Sequence, residues 1–574
     1  MNRTTTMRAI GVIAALGLGL TTAACSSDSK SPGGGSSSGS SASGTALVVE
    51  SNPVASFTED FNPISTNSIG RLENTSSLIY EPLFQINSLD ASQAPIPWLA
   101  DKAEWSNGNK TVTITLHSGI KWSDGQDFTA DDVKFTFDLI KSDPAANAFG
   151  APTVSSTSVT NPTTVVLNFD TPQKANFVAI AQQLILPQHI WKSITKPEAA
   201  VVKAAQAIGT GPYLVDKFSS QLVTYKANPS YWQGEPKVKS VNLPAYADNN
   251  AASAALAKGD IDLTGNNIAN VQTVFVGKDP QHNHLWTDKA PYYPQVNTVS
   301  LLLNNKSKNA PELGQAAVRK AISAALNRQS YASQCETDYE LPATSSGGLT
   351  APVDGKVMNS ALNNDLKPTA DQAAVDSLMK GAGYTKVSGK WSKNGKTVKF
   401  KVTDPQPYTD YACGAQAIAK DLTTAGFDVT ADLAADPNAW STALANGNYD
   451  ASIHWGQGST PFQKLQFTAD PRLTAPLGQP AANNLNRYDN PKATDLFKAY
   501  EASTDDASAQ AALNKIQQLL SDDMPSVPLL YGAAWYQYTD ANFTGFPNAD
   551  NPYMNPAPNS QAWEYIILKL APKS

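Results

Sequence analysis

Five aspartates crowd the stretch from Ser118 to Ile140, "SGIKWSDGQDFTADDVKFTFDLI": Asp124, Asp127, Asp131, Asp132 and Asp138. Paired carboxylates are the equipment of general acid–base chemistry, and two of them suffice to hydrolyse a glycosidic bond. The elements that must position these residues point elsewhere. Val112, Ile114 and Leu116 alternate with Thr111, Thr113 and Thr115, the period of a half-buried strand. Asp124-Gly125 signals a turn, and Thr129 stands three residues before Asp132, the spacing of a capping box that opens a helix. Phe128 and Val133 take the staple positions, and Val133, Phe137 and Ile140 continue one helical face. Asp131 and Asp132 also suit the positive end of the helix dipole. The local pattern assigns these aspartates to structure.

Other chemical candidates thin out in the same way. Of five histidines, His282 and His284 have strand-like spacing for two metal ligands, but no third ligand is in view and an exposed polar loop accounts for them. His189 reads as structural, and His117 ends the strand before the aspartates. "GSSSG" inside a Ser/Gly tract matches a nucleophile-elbow pattern without the strand and helix that pattern requires. "GKT" at Gly395 to Thr397 lacks the upstream glycine of a phosphate loop. The sequence calls for no metal and no cofactor. A secreted hydrolase remains the rival of another class, since 50 acidic residues leave room for a carboxylate pair.

Arg3 and Arg8 precede the apolar run "AIGVIAALGLGL", then small residues and Cys25, the order of an export signal too short to span a bilayer. From Ser26 to Gly44 the chain is almost wholly Ser and Gly, a flexible tether. With 43 basic against 50 acidic residues and a net charge of −7, the chain is not fitted to nucleic acid. Its length calls for two or three lobes, in a mixed α+β arrangement without internal repeats. Besides Cys25 only Cys335 and Cys413 are present; an exported chain favours a disulfide between them, with two buried thiols as the alternative. Helices are expected over "GQAAVRKAISAALNRQSY", over "CGAQAIAKDLTTAGF" up to Gly426, and over "DASAQAALNKIQQLLSDD" up to Pro525. "GFPNADNPYMNPAPN" is expected to be a loop.

The Ser118 to Ile140 stretch resembles a signature of the extracellular solute-binding proteins of family 5, the receptors of peptide, nickel and some oligosaccharide ABC importers. "IYEPLF" (Ile79 to Phe84), "LPQHIW" (Leu186 to Trp191), "GTGPYLV" (Gly209 to Val215), "NPSYWQGEPKV" (Asn228 to Val238) and "VRKAISAALNR" (Val318 to Arg328) are similar to further segments in the family's order. "TTAAC" resembles a lipobox, with Thr22 where leucine is usual and Cys25 as the lipidated residue. The resemblance implies a periplasmic-binding-protein-like, two-lobed clamp of mixed α/β build with an extra domain inserted in lobe one. Residues 1–24 would be the signal peptide and 25–44 the lipidated cysteine with its linker. Lobe one would comprise 45–80, 200–303 and 526–574, the extra domain 81–199, and lobe two 304–525. Closure around a peptide or oligosaccharide would deliver it to an ABC permease and ATPase complex. The protein would be a monomer, lipid-anchored on the outer face of the bacterial cell membrane or periplasmic.

In peptide-binding relatives an aspartate shortly after a tryptophan meets the peptide amine. Here Trp455 is followed by Gly456-Gln457-Gly458-Ser459-Thr460, with no acid before Asp470. Neutral hydrogen-bonders beside an indole suit a sugar, although an acid elsewhere in the fold could meet an amine. The expected ligand-binding residues are Trp455, Gln457, Thr460, Trp535 and Tyr536. His454 is expected to face away from Trp455 if the strand persists, and Asn304 and Asn305 to be structural.

Overall fold

A computed structural model describes residues 46–65, 68–90, 93–481 and 483–573. The expected signal peptide, Cys25 and the Ser/Gly tether lie outside them. Two large sheets and a four-stranded one organise the described residues, with three minor sheets of two or three strands beside them. The seven-stranded sheet runs Asn283–Leu285, Gln537–Thr539, Leu263–Thr264, Leu47–Glu50, Ser240–Pro244, Leu222–Ala227, Tyr213–Ser219. Strand Leu47–Glu50, the first in the chain, lies parallel to both its neighbours. Leu47, Val49, Val223, Tyr225, Val241 and Leu263 build the core beneath it.

The six-stranded sheet runs Leu341–Pro342, Ser526–Ala533, Gln295–Leu303, Ala451–His454, Lys399–Pro405, Asp428–Ala434. Helices Ala316–Ala325 and Thr409–Ala425 cover it, burying Val318, Ile322, Ile418 and Leu422. Gly426 ends the second helix at φ 102°, a left-handed position that only glycine adopts without strain. The single helix expected through "VRKAISAALNRQSY" is instead two, broken at Leu326. Asn327 accepts from the Ser330 amide at 3.0 Å and so caps a second helix, Arg328–Cys335, where periodicity alone continues the first. Cys335, at the end of that helix, is disulfide-bonded to Cys413 in Thr409–Ala425, with Cα atoms 5.6 Å apart.

The four-stranded sheet, Ala100–Ser106, Thr111–Leu116, Thr164–Asn168 and Ser156–Asn161, packs on helix Ala130–Ser142. The inward alternation of Val112, Ile114 and Leu116 meets Val133, Phe137 and Ile140 in one core. Residues 545–559 form the expected loop, tied down by the fully buried Met554.

The chain passes between the two large sheets twice, at residues 286–294 and 534–536. The strands that follow and precede these passages, Gln295–Leu303 and Ser526–Ala533, pair antiparallel with each other along their length. Both belong by their hydrogen bonds to the six-stranded sheet, whereas the resemblance counted them with lobe one.

Candidate functional site

The aspartates of the opening stretch are almost all engaged. Thr129 and Asp132 form the capping box, and Asp132 also accepts from Trp122 Nε1 at 3.3 Å and from the Gln188 amide at 2.9 Å. Asp124 meets His189 at 2.8 Å, Asp127 meets Lys121 at 2.6 Å, and Asp138 holds both Lys134 and Thr157. Asp131 stands in the first helical turn. His282 and His284 converge on Asp540, at 2.9 and 3.5 Å, which Lys573 also approaches. Among the described residues no three His, Cys, Asp or Glu side chains are placed to hold a metal ion.

Trp455 follows the strand Ala451–His454 and is 40% exposed, a large apolar side chain left open beside a packed aromatic group. Its ring lies 6.3 Å from Tyr411 and 6.1 Å from Trp440. His454 does not face away: the strand stops at His454, and the two rings stack at 4.2 Å. Alternation of faces ends where the extended backbone ends. Burial lowers the His454 imidazole to about 4, so the ring is neutral, and its Nδ1 lies 2.7 Å from the Trp455 carbonyl. Gln457 is exposed beside Trp455. Thr460 has a structural task, accepting from the Gln463 amide as the N-cap of helix Pro461–Ala469. Ser459 accepts from Gln182 Nε2 at 3.0 Å, linking this loop to the segment after the four-stranded sheet.

Trp535 and Tyr536 lie in the second passage and part company. Trp535 is partly buried against Tyr293, ring centres 5.0 Å apart. Tyr536 is fully buried in the core of the seven-stranded sheet, and its hydroxyl donates to the Pro547 carbonyl at 3.0 Å. Its surroundings make it a core residue, not the ligand contact expected. Asn304 is structural as expected, donating to the Gly447 and Tyr449 carbonyls.

Sequence reasoning missed a second set of acids where the two large sheets meet. Glu50 ends the first strand and accepts from Thr264; Glu73 caps a short helix and accepts from the Asn52 amide at 3.3 Å. From the other side come Glu336, Glu340 and Asp410. Asn267 donates to Glu336 at 2.8 Å and Asn249 to Asp410 at 3.3 Å, so each bond joins a residue of the seven-stranded side to an acid of the six-stranded side. Ala533 donates its amide to Glu340 at 2.9 Å. Glu336 follows Cys335 and Asp410 lies one helical turn before Cys413, so the disulfide fixes both.

Glu50, Glu73, Glu336 and Glu340 are buried, and each keeps one carboxyl oxygen without a partner; Asp410 is partly buried. Among the described residues no Lys, Arg or His acts on any of the five. Burial therefore raises Glu50 to about 7, Glu340 to about 8 and Asp410 to about 6. Glu73 and Glu336 rise well above the carboxylate range, from burial first and then from repulsion by Glu50 in one case and by Glu340 and Asp410 in the other. The signal that could have found this set was the disulfide itself, because it carries Glu336 and Asp410 to one place.

Two α/β bodies joined by a pair of crossing strands, with polar and aromatic side chains converging where they meet, define a two-lobed solute-binding clamp. Residues 94–469 match the bacterial extracellular solute-binding proteins, family 5 (middle part), and the chain belongs to that family. It is a binding protein, not an enzyme. Protein XP55 of Streptomyces lividans is 26% identical over 425 residues, covering 73% of this chain and 72% of that one. The nickel-binding periplasmic protein of Escherichia coli is 24% identical over 466 residues, covering 79% and 84%. The crystal structure of a mannohexaose-bound periplasmic oligopeptide-binding protein of an ABC transporter from Thermotoga maritima superposes with a TM-score of 0.81 at 24% identity, covering 92% of this chain and 98% of that one.

Proposed function

We propose that this chain is the receptor of an ABC importer, which captures an extracellular solute by hinge closure and passes it unaltered to a permease and its ATPase. The carrying observation is the pair of bonds Asn267–Glu336 and Asn249–Asp410, which join residues from the two sides of the junction. A solute seated there would gain contacts from both sides only in the closed form, and that difference in affinity drives closure. We read residues 45–80 and 200–294 with the C-terminal part from 534 as lobe one, 81–199 as its extra domain, and 295–533 as lobe two. Arg3, Arg8 and the apolar run before Cys25 support export and attachment through a lipid on Cys25. The protein would act as a monomer at the outer face of the membrane.

The family's peptide receptors make a peptide the first reading of the solute. An oligosaccharide is the second, supported by the exposed indole of Trp455, the neutral loop from Gly456 to Thr460, and the mannohexaose in the Thermotoga relative. Mass spectrometry of the solute that co-purifies, with X-ray scattering before and after its removal, tests the proposal. An intact small solute whose return compacts the protein is the expected result; a chemically altered one, or no compaction with peptide and sugar mixtures, overturns it.

A further inference from the structure

Four buried glutamates with an unpartnered oxygen each, gathered from both sides of one junction without a basic residue, ask for an occupant. We propose that Glu50 and Glu73 on one side and Glu336, Glu340 and Asp410 on the other form the recognition site for an amine- or guanidinium-bearing organic solute. The inference rests on the receptor reading and narrows it to a chemical class.

The geometry carries it in three ways. First, the orphaned atoms are acceptors: Oε1 of Glu50, Glu73 and Glu336, and Oε2 of Glu340. An ammonium or guanidinium group offers only donors, and charge-assisted bonds to carboxylates are the strong ones. Second, the buried Tyr331 hydroxyl acts on Glu336 and lies within electrostatic reach of Glu340 and Asp410. The Tyr408 hydroxyl lies within electrostatic reach of Glu73, Asp410 and Glu50, and the Asn267–Glu336 and Asn249–Asp410 bonds tie the two sides at this junction. Third, Tyr411 stands beside Asp410 in sequence and its ring lies near Trp455, which supplies aromatic faces that attract a cation. A bare metal ion does not suit the arrangement, since no three of these side chains converge on a common point.

Unpaired acids from two lobes oppose closure above their ordinary range, because burial obliges them either to take up protons or to bring like charges together out of water. A cation between them reverses that effect. The same carboxylates thus disfavour an empty closed clamp and favour a loaded one, a discrimination that a neutral solute cannot exploit.

The test is titration calorimetry and X-ray scattering on the purified protein with tri-lysine, N-acetyl tri-lysine, spermidine and mannohexaose, in the wild type and in Glu336→Gln/Asp410→Asn. The expected result is that tri-lysine or spermidine binds and compacts the wild type, and that the double variant binds it at least tenfold more weakly with an unfolding midpoint no lower than the wild type's. Tri-lysine binding that acetylation weakens identifies a peptide amine as the source, and a preference for spermidine a free polyamine; either supports the inference. Should the double variant not fold, Glu73→Gln gives the same comparison from the opposite lobe. If mannohexaose compacts the protein while neither cation does, or if the variants bind the cations as tightly as the wild type, the inference falls and the receptor reading stands. If no solute compacts it, both fall.

Discussion

Two acid-rich regions of this molecule invite comparison, the aspartates from Asp124 to Asp138 and the carboxyl groups where the large sheets meet. In the first, Asp124, Asp127, Asp132 and Asp138 each have a donor or a cation: a helix terminus, an indole, a lysine or a histidine. In the second, four buried glutamates each keep a bare oxygen. Acid content does not distinguish the regions; satisfaction does. A carboxylate whose lone pairs are filled by its own chain is holding that chain in place, and a buried one with a lone pair unfilled is free to accept from a group the chain does not supply.

The sharpest way to break the comparison is to remove an acid from the satisfied region. Asp132→Ala strands the Thr129 and Gln188 amides and the Trp122 indole, and a loss of about 3 kcal/mol in unfolding free energy is expected from urea titration, with solute affinity unchanged. Equal effects of Asp132→Ala and Glu336→Gln on stability would erase the distinction.

The next effect is on pH. In the folded protein Glu50 and Glu340 hold protons up to about 7 and about 8, which an unfolded chain releases near its ordinary carboxylate range. The folded form binds more protons, so its stability is fully present at low pH and drains as pH rises through those values. No basic group acts on these acids to offset the change, and Glu73, Glu336 and Asp410 shift in the same direction. A fall in stability between pH 5 and pH 8.5 is expected in thermal melts, limited where opening of the clamp returns the acids to water and flattened by Glu50→Gln. A stability that rises over that interval would contradict the assignment.

The same contrast between partnered and open groups runs through the loop after His454. Trp455 is open, and Trp455→Ala should weaken an oligosaccharide, if one binds, by about 1.5 kcal/mol in calorimetry with little change in stability. Thr460 is engaged as a helix cap, so Thr460→Ala should cost about 1 kcal/mol of stability and leave affinity untouched. Reversed outcomes for the pair would restore Thr460 as a ligand contact.

Local chemistry made part of this legible from residues alone. The alternation through Thr111–Leu116, the capping box at Thr129 and the stop at Gly426 are written within a few neighbouring positions, and the fold carries each. The break at Asn327 was hidden because apolar spacing continues across it while a side-chain cap interrupts the backbone. Tyr536 and Thr460 had the right residue types for a site, but burial and capping, which depend on the surroundings, decide their roles. The junction acids were illegible for a related reason. Glu50 and Asp410 stand in distant parts of the chain, and only the placement of strand Leu47–Glu50 and of helix Thr409–Ala425 brings both within electrostatic reach of Tyr408.

The strands Gln295–Leu303 and Ser526–Ala533, which flank the two passages, are laced to each other by their own ladder, while the passages themselves are short. Two pins fixed side by side make a door and not a ball joint. Swing is free about the line through the two passages, whereas sliding and rolling would have to break the Ala534–Pro294 bond that ties them at their base, so each shutting would return the same donors and acceptors to the same opposing places.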